Sequence, residues 1–167
     1  MAQELNFLIK SQSDTEKLAQ ALAEITSGGD TILLHGPVGA GKSALARAFI
    51  QTRLSEFGRL EDVPSPTFTL VQTYELPTVE IWHVDLYRLS TSDELYEIGL
   101  DGALDTDICL VEWPEKLGAL RPASALSVFL EPLEQEHRTL RLEWQHRKWD
   151  SLSEILPRIG LQKDPAQ

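Results

Sequence analysis

One segment, Gly36–Ser43, has the residue types and spacing of a phosphate-binding loop, G-x-x-x-x-G-K-[ST]. Its glycines let backbone N–H groups point at phosphate oxygens without obstruction by a Cβ atom. In this pattern Lys42 supplies a cation to the terminal phosphates, and the hydroxyl of Ser43 can bind Mg²⁺. The alternative is an accidental glycine-rich turn, but the segment lies between an apolar strand and a helix, as a nucleotide loop requires. The spacing therefore predicts a nucleotide site.

Two carboxylates, Asp85 and Glu112, each follow a mainly apolar strand-like run, Ile81–Val84 and Ile108–Val111. Parallel strands end at one edge of a sheet, and ligands bind at that edge. Both carboxylates are therefore predicted to lie near Lys42, where they can hold a metal and polarise the attacking group. The alternative interpretation of each is a solvated loop acid or a helix cap.

Strands and helices alternate in the sequence pattern around these residues. Ser13 and Glu16 have capping-box spacing, which predicts that a helix begins at Ser13 and ends before Gly28. Thr91 and Glu94 repeat that spacing and predict a helix to about Ile98. The other predicted elements are strands at Leu5–Ile9, Thr31–Leu34, Phe68–Glu75, Val79–Val84 and Ile108–Val111, and a helix at Ser43–Leu54.

The last third of the chain has a different pattern. Leu126–Leu130 and Leu140–Trp144 predict a hairpin, and Trp149–Ile159 predicts a closing helix. Together the patterns predict an α/β, P-loop fold, with a mostly parallel central sheet flanked by helices and a C-terminal antiparallel hairpin. We expect one domain over residues 1–161 and a disordered tail over residues 162–167.

Composition and charge argue against several classes of function. The chain has 167 residues, 42% of them hydrophobic, and a net charge of −11. That charge argues against a broad basic surface for nucleic acid. The single cysteine, Cys109, cannot form an internal disulfide. No apolar run is long enough to span a membrane and no N-terminal segment resembles a signal peptide, so we expect a cytoplasmic protein without membrane contact.

Four sequence blocks in this order resemble the TsaE (YjeE) family, the small ATPase of bacterial tRNA threonylcarbamoyladenosine biosynthesis. The resemblance runs from about Thr15 to Leu142. The loop alone would name no family, but the other three blocks are far more specific. The blocks are Gly36–Ser43, Ser-Pro-Thr-Phe at Ser65–Phe68, His-Val-Asp-Leu-Tyr-Arg-Leu at His83–Leu89, and Val-Glu-Trp-Pro-Glu at Val111–Glu115.

The resemblance implies ATP and Mg²⁺ as cofactors and assigns roles to residues. Ser43 and Glu112 would hold the metal, and the catalytic set would be Lys42, Thr67, Asp85 and Glu112. Thr67 would lie in a switch-like loop, which the flanking prolines stiffen. The ATP-binding residues would be Gly36, Pro37, Val38, Gly39, Ala40, Gly41, Lys42, Ser43 and, on the nucleoside side, Gln12. The chain departs from the family pattern at Pro37, where an acid is usual, and at Ser43, where Thr is usual.

Three further residues receive an interpretation from the sequence. His83 lies within an apolar strand, so a packed, hydrogen-bonded core histidine is expected rather than a catalytic one. Trp113, directly after Glu112, is expected to fix that carboxylate by packing, with contact to a partner as the alternative. No arginine stands out as a built-in arginine finger, and Arg88 is only a candidate, which fits a slow ATPase that partner proteins activate.

The function implied by the resemblance is ATP hydrolysis in support of the threonylcarbamoyl-transferase complex of TsaD and TsaB, with tRNA handled through that complex. Two other classes remain open at the level of sequence. A P-loop small-molecule kinase would need an acceptor pocket and usually an arginine-bearing lid. A nucleotide-switched binding module would bind ATP without turnover.

Overall fold

The computed structural model describes residues 2–166, and in it the glycine-rich segment joins a strand to a helix. The strands are β1 (Gln3–Ile9), β2 (Thr31–His35), β3 (Val71–Glu75), β4 (Glu80–Asp85), β5 (Ile108–Glu112), β6 (Leu126–Pro132), β7 (Arg138–Trp144) and β8 (Gln162–Lys163). The helices are α1 (Gln12–Ile25), α2 (Lys42–Ser55), α3 (Asp93–Glu97), α4 (Leu100–Thr106) and α5 (Leu152–Ile155). Short 3-10 segments cover Pro114–Leu120, Glu134–Glu136, Arg147–Trp149 and Leu156–Arg158.

The strands form one mixed sheet in the order β3-β4-β5-β2-β6-β7-β1-β8. Its four central strands, β4, β5, β2 and β6, are parallel to one another. The remaining pairings are antiparallel, so the predicted mostly parallel sheet is accurate only for this centre. Short connections between β3 and β4 and between β6 and β7 require antiparallel neighbours, because parallel pairing needs a long crossover. The predicted C-terminal hairpin is β6–β7.

Both faces of the central strands are buried. Alternate residues of β2 contribute to different hydrophobic clusters, since Ile32 and Leu34 belong to the one that contains α1 and α2, and Leu33 belongs to the other. β5 alternates in the same way, with Ile108 facing the first cluster and Cys109 the second. Successive side chains of a strand point to opposite faces, so helices and 3-10 segments must cover both sides of this sheet.

The two ends of the chain differ from the sequence prediction. Helix α1 is capped by Ser11, whose Oγ accepts from the Asp14 N–H at 3.2 Å, so its cap lies two residues before the predicted capping box. The closing helix expected over residues 149–159 is instead α5 between two 3-10 segments, because Pro157 lacks the N–H that a continuous helix needs. Within the tail expected to be disordered, residues 162–163 pair with β1 as β8. Gln167 lies outside the described residues.

Two internal segments, the start of β3 and the region around Gly99, also differ from their predictions. The strand predicted from Phe68 begins only at Val71, since Leu70 has a positive φ of 71° in a turn that its N–H closes onto the Pro66 carbonyl at 2.8 Å. Gly99 does end the helix predicted to reach Ile98, but it also starts α4 with a φ of 82°. No helix was predicted from the sequence at the position of α4.

Candidate functional site

The glycine-rich loop leaves the carboxyl end of β2 and enters the N-terminus of α2. Gly36 has a φ of 146°, and a Cβ atom there would lie 2.4 Å from the carbonyl oxygen of Leu130. Gly41 caps α2 with a φ of 100°. Both positions therefore need glycine, the first for close approach to β6 and the second for its left-handed backbone. The result is a loop with open backbone at a helix N-terminus, where anions are stabilised.

The ammonium group of Lys42 lies inside this loop. Its Nζ donates to the carbonyl oxygen of Gly36 at 2.5 Å and lies 3.5 Å from the centroid of the Trp113 ring. Burial lowers the pKa of Lys42, and the carboxylates of Glu112 and Asp85 oppose that shift. The cation is therefore already partly stripped of water and faces the two acids that the sequence placed at strand ends.

Glu112 ends β5 and is held from two sides. The Ser43 hydroxyl lies 3.0 Å from each of its carboxylate oxygens. On the other side His83 Nε2 lies 2.7 Å from Glu112 Oε2, and the two side chains are only 1% and 3% exposed. Because an ionised carboxylate can only accept, the His83 Nε2–H is the donor. His83 is thus the packed, hydrogen-bonded histidine of the prediction, and its partner is a candidate site residue.

Asp85 ends β4 beside Glu112, its register partner on β5. Its Oδ2 accepts from the Thr67 hydroxyl at 3.2 Å, and its Oδ1 accepts from the backbone N–H of Tyr87 at 2.9 Å. The Thr67 hydroxyl in turn lies 2.7 Å from that of Ser65. The carboxylate is therefore held at both oxygens, and Thr67 is held next to it by the proline-flanked segment.

A cleft of about 370 Å³ joins these groups. Its wall includes Lys42, Ser43, Thr67, Asp85 and Glu112, so the structure brings all five predicted catalytic or metal-binding residues to one edge of the sheet. Val38, Gly39, Ala40 and Gly41 of the loop line the same cleft, together with Ala44, Tyr87, Trp113 and Arg138.

Three residues predicted to bind ATP do not line this cleft. Gly36 is half-buried, and its carbonyl accepts from Lys42. Pro37 is exposed, and its carbonyl accepts from the Ala40 N–H at 3.1 Å. Gln12 lines a separate groove of about 670 Å³ between α1 and α2. That groove also contains Ala44 in its wall, so the two spaces meet at the first turn of α2.

The residue that the sequence reasoning missed is Arg138. It begins β7, which runs antiparallel to β6, and the start of β7 therefore lies at the same sheet edge as the ends of the parallel strands. No motif marks it, and only the strand pairing brings it to the loop. Arg88, the candidate from the sequence, instead lies over the exposed ring of Phe68, 4.7 Å from its centroid.

The hydroxyl and carboxylate oxygens at this edge are ligands of the kind that Mg²⁺ prefers. In an octahedral site with Mg–O distances of about 2.1 Å, neighbouring ligand oxygens lie about 3 Å apart. The Ser43 hydroxyl and the Glu112 carboxylate are separated by 3.0 Å. These two side chains could therefore hold Mg²⁺ directly or through water.

The described residues have two further properties that bear on function. Among residues 2–166, no helix combines the length and the apolar character needed to cross a membrane. Cys109 is buried in the middle of β5, and burial raises the pKa of its thiol to about 12. A thiol of that kind is inert at neutral pH.

The chain is similar in sequence to known proteins over most of its length. Residues 9–154 match the family model described as threonylcarbamoyl adenosine biosynthesis protein TsaE. A relative from Rickettsia conorii, named tRNA threonylcarbamoyladenosine biosynthesis protein TsaE, is 34% identical over 148 residues, which are 89% of this chain and 83% of the relative. A protein of the same name from Bacillus subtilis is 27% identical over 93% of this chain and 95% of its own.

The fold matches a solved structure as well. The crystal structure of Bacillus subtilis YdiB superimposes with a TM-score of 0.72 at 23% sequence identity, covering 95% of this chain and 97% of the other. At that identity the likeness supports the fold alone, and it confirms the predicted α/β, P-loop architecture. The family model and the relatives carry the assignment further: the chain belongs to the TsaE family of threonylcarbamoyl adenosine biosynthesis proteins.

Proposed function

We propose that this protein is a Mg²⁺-dependent ATPase that supports the formation of threonylcarbamoyladenosine in tRNA next to the anticodon. Membership of the TsaE family supports the pathway. The ATPase activity rests on one observation, the convergence of Lys42, Ser43, Asp85 and Glu112 on a single cleft at the glycine-rich loop. A cation, a hydroxyl and two carboxylates around a backbone cradle are the groups that phosphoryl transfer to water requires.

Lys42 and the loop act on the phosphates. The loop amides and the ammonium group stabilise negative charge as it shifts towards the oxygen that bridges the β- and γ-phosphorus atoms. To do so, Lys42 exchanges its contact with the Gly36 carbonyl for a phosphate oxygen, a small movement for a flexible side chain. Since Lys42 is only 5% exposed, little further water has to be removed from it when the nucleotide binds.

Ser43 and Glu112 would hold Mg²⁺, which when bound neutralises charge on the β- and γ-phosphate oxygens. His83 fixes the direction of the Glu112 carboxylate through its hydrogen bond of 2.7 Å. A hydrogen bond from a neighbouring side chain to a metal ligand orients that ligand. The role of His83 is therefore that of a positioning residue.

Asp85 and Thr67 act on the attacking water. The two oxygens of Asp85 are held by the Thr67 hydroxyl and the Tyr87 N–H, so the carboxylate has a fixed direction within the cleft. A fixed acceptor beside the terminal phosphate orients a water molecule for in-line attack. Thr67 reaches this place from a different segment of the chain, so a change in that segment would alter the rate of hydrolysis.

The partner is the threonylcarbamoyl-transferase complex of TsaD and TsaB. With a net charge of −11, this chain is not suited to bind tRNA by itself, and the complex would carry the tRNA. We place this reaction in the cytoplasm. Stimulation of ATP hydrolysis by the complex is the property that distinguishes this function from a small-molecule kinase and from a nucleotide-switched binding module.

The test measures phosphate release from ATP by the purified protein, with and without TsaD, TsaB and tRNA, at several Mg²⁺ concentrations. We expect slow hydrolysis alone, faster hydrolysis with the complex, and none for Lys42→Ala, whose fold is checked by circular dichroism. Phosphate transfer to a small metabolite without the complex would indicate a kinase instead. Tight ATP binding without turnover, even with the complex present, would indicate a nucleotide-switched binding module.

A further inference from the structure

The stretch of chain that leads to Thr67 has little hydrogen bonding through its backbone. Residues 60–65 follow α2 and belong to no helix or strand. Within residues 2–166, the carbonyl of Val63 is the one backbone group of this stretch that takes part in a hydrogen bond. Its donor is the Nε–H of Arg47, at a distance of 3.1 Å. A side chain of α2 therefore holds this part of the backbone.

Arg47 belongs to the same helix as the candidate metal ligand Ser43. It follows Ser43 by four residues in α2, so the two side chains leave the helix on the same side. Within residues 2–166 the guanidinium group of Arg47 forms no ion pair with a carboxylate, and the bond to Val63 is its one hydrogen bond. Its polar contact thus joins the helix of the phosphate loop to the Thr67 segment.

The chain between Val63 and Thr67 is stiff. Residues 64 and 66 are prolines, whose φ angles are fixed, and a proline also restricts the residue before it. Four consecutive residues, 63–66, therefore have few available conformations. The buried side chain of Val63 fixes where this residue lies, and the hydrogen bond from Arg47 fixes the direction of its carbonyl. A change in that direction would be carried along the stiff segment to Thr67.

The far end of the segment is bonded to Asp85. The Thr67 hydroxyl donates to the Asp85 carboxylate at 3.2 Å, and the Asp85 N–H donates to the carbonyl of Leu70 at 2.9 Å. The Leu70 N–H closes the turn onto the Pro66 carbonyl at 2.8 Å. These bonds tie the segment to β4 but not to α2. Arg47 supplies the connection to the helix that carries Ser43.

We propose that Arg47 is a positioning residue for ATP hydrolysis. By holding the Val63 carbonyl, it keeps Thr67 in the place from which the Thr67 hydroxyl fixes Asp85. The inference rests on the proposed ATPase function. Arg47 lines the groove between α1 and α2 and not the cleft, so it acts on the rate through Thr67 rather than by contact with the phosphates.

The test measures phosphate release from ATP by the full-length protein with TsaD, TsaB and tRNA present. The variants are Arg47→Met, Arg47→Lys, Thr67→Val and the double variant Arg47→Met with Thr67→Val. Methionine keeps an aliphatic stem without a donor, whereas lysine can still donate to a carbonyl. The control is Arg53→Met, since Arg53 lies in the same helix but donates to the carbonyl of Thr26, at 2.9 Å. Circular dichroism and urea unfolding record the fold and stability of each variant.

We expect Arg47→Met to lower kcat about threefold to tenfold, the effect of one lost hydrogen bond, with an unchanged KM for ATP. Arg47→Lys should recover part of the loss, and Arg53→Met should lose stability but keep kcat. In the double variant kcat should fall no further than in Thr67→Val alone, because both residues act through one chain of contacts. An unchanged kcat in Arg47→Met, or independent losses that multiply in the double variant, would overturn the inference.

A failure of the proposed function gives a different result. If the wild-type protein released no phosphate, the ATPase assignment itself would fail. The role of the contact between Arg47 and Val63 is then decided by amide hydrogen exchange at Leu70, whose N–H is bonded to the Pro66 carbonyl. Faster exchange there in Arg47→Met than in Arg53→Met would support a positioning role, and equal exchange would rule it out.

Discussion

The hydroxyl of Ser43 lies 3.0 Å from both carboxylate oxygens of Glu112. Ser43 lies in the first turn of α2 and Glu112 ends β5, and the parallel pairing of β2 with β5 brings them together. This contact joins the end of the glycine-rich loop to the edge of the sheet that carries Asp85 and Glu112. Most consequences of the proposed mechanism can be tested through it and through its neighbours.

Glu112→Gln should abolish most Mg²⁺-dependent ATP hydrolysis while leaving nucleotide binding in place. The amide has nearly the same shape and can still accept from Ser43, but it lacks the charge that a metal ligand needs. We expect a loss of about a hundredfold or more in kcat, measured by phosphate release across a Mg²⁺ titration. Glu115→Gln, an exposed acid three residues further on, is the matched control. Normal hydrolysis by folded Glu112→Gln would remove Glu112 from the mechanism.

His83→Leu should raise the Mg²⁺ concentration needed for half-maximal hydrolysis. The leucine deprives Glu112 of its buried hydrogen-bond donor, and loss of a donor that orients a metal ligand costs about tenfold to a hundredfold in metal affinity or activity. His83→Gln, which restores an N–H donor, should recover part of the difference. If both variants lost stability equally and kept the wild-type Mg²⁺ dependence, His83 would have a purely structural role.

Binding of ATP should change the fluorescence of Trp113. The centroid of its ring lies 3.5 Å from the Nζ of Lys42, and the proposed mechanism moves that ammonium group to a phosphate oxygen. We expect a saturable change in tryptophan emission on titration with ATP in the wild-type protein and its disappearance in Trp113→Phe. Trp149→Phe, a substitution of a buried tryptophan outside the cleft, serves as the control. A signal that persists in Trp113→Phe would contradict the movement of Lys42.

His35, directly before the loop, should make the protein less stable in mild acid. Burial, with the nearby charge of Arg121, lowers its pKa to about 4. Between pH 4 and 6.5 the unfolded chain therefore binds a proton at this position that the folded protein does not. The free energy of unfolding should therefore fall as the pH decreases through this range.

His35→Gln isolates that contribution, since its amide can still contact Ser127, whose hydroxyl lies 3.3 Å from the His35 ring nitrogen. Urea unfolding at pH 7.5, 5.5 and 4.5 should give a smaller decrease for the variant than for the wild type. Equal decreases in the two proteins would show that His35 does not contribute to the acid sensitivity.

Sequence alone determined the features that consecutive residues carry. The glycine-rich loop, the prolines around Thr67 and the acids after Val84 and Val111 are short-range patterns, and each has a direct physical requirement for its residue types. Burial of both faces of β2 was also predictable, because its short apolar run, Thr31–Leu34, lacks alternation. The resemblance to the TsaE family rests on the order of four sequence blocks, and no single motif contains that information.

Only the tertiary structure decided which distant residues meet. The pairing of His83 with Glu112 depends on the alignment of β4 with β5, and the approach of Arg138 to Gly41 depends on β7 running antiparallel to β6. At one edge of the sheet, the parallel strands have their last residues and the antiparallel β7 has its first. Asp85 and Glu112 were predicted because they follow parallel strands, and that reasoning could not predict Arg138. Strand order and direction depend on interactions between segments far apart in the chain, and local spacing does not encode them.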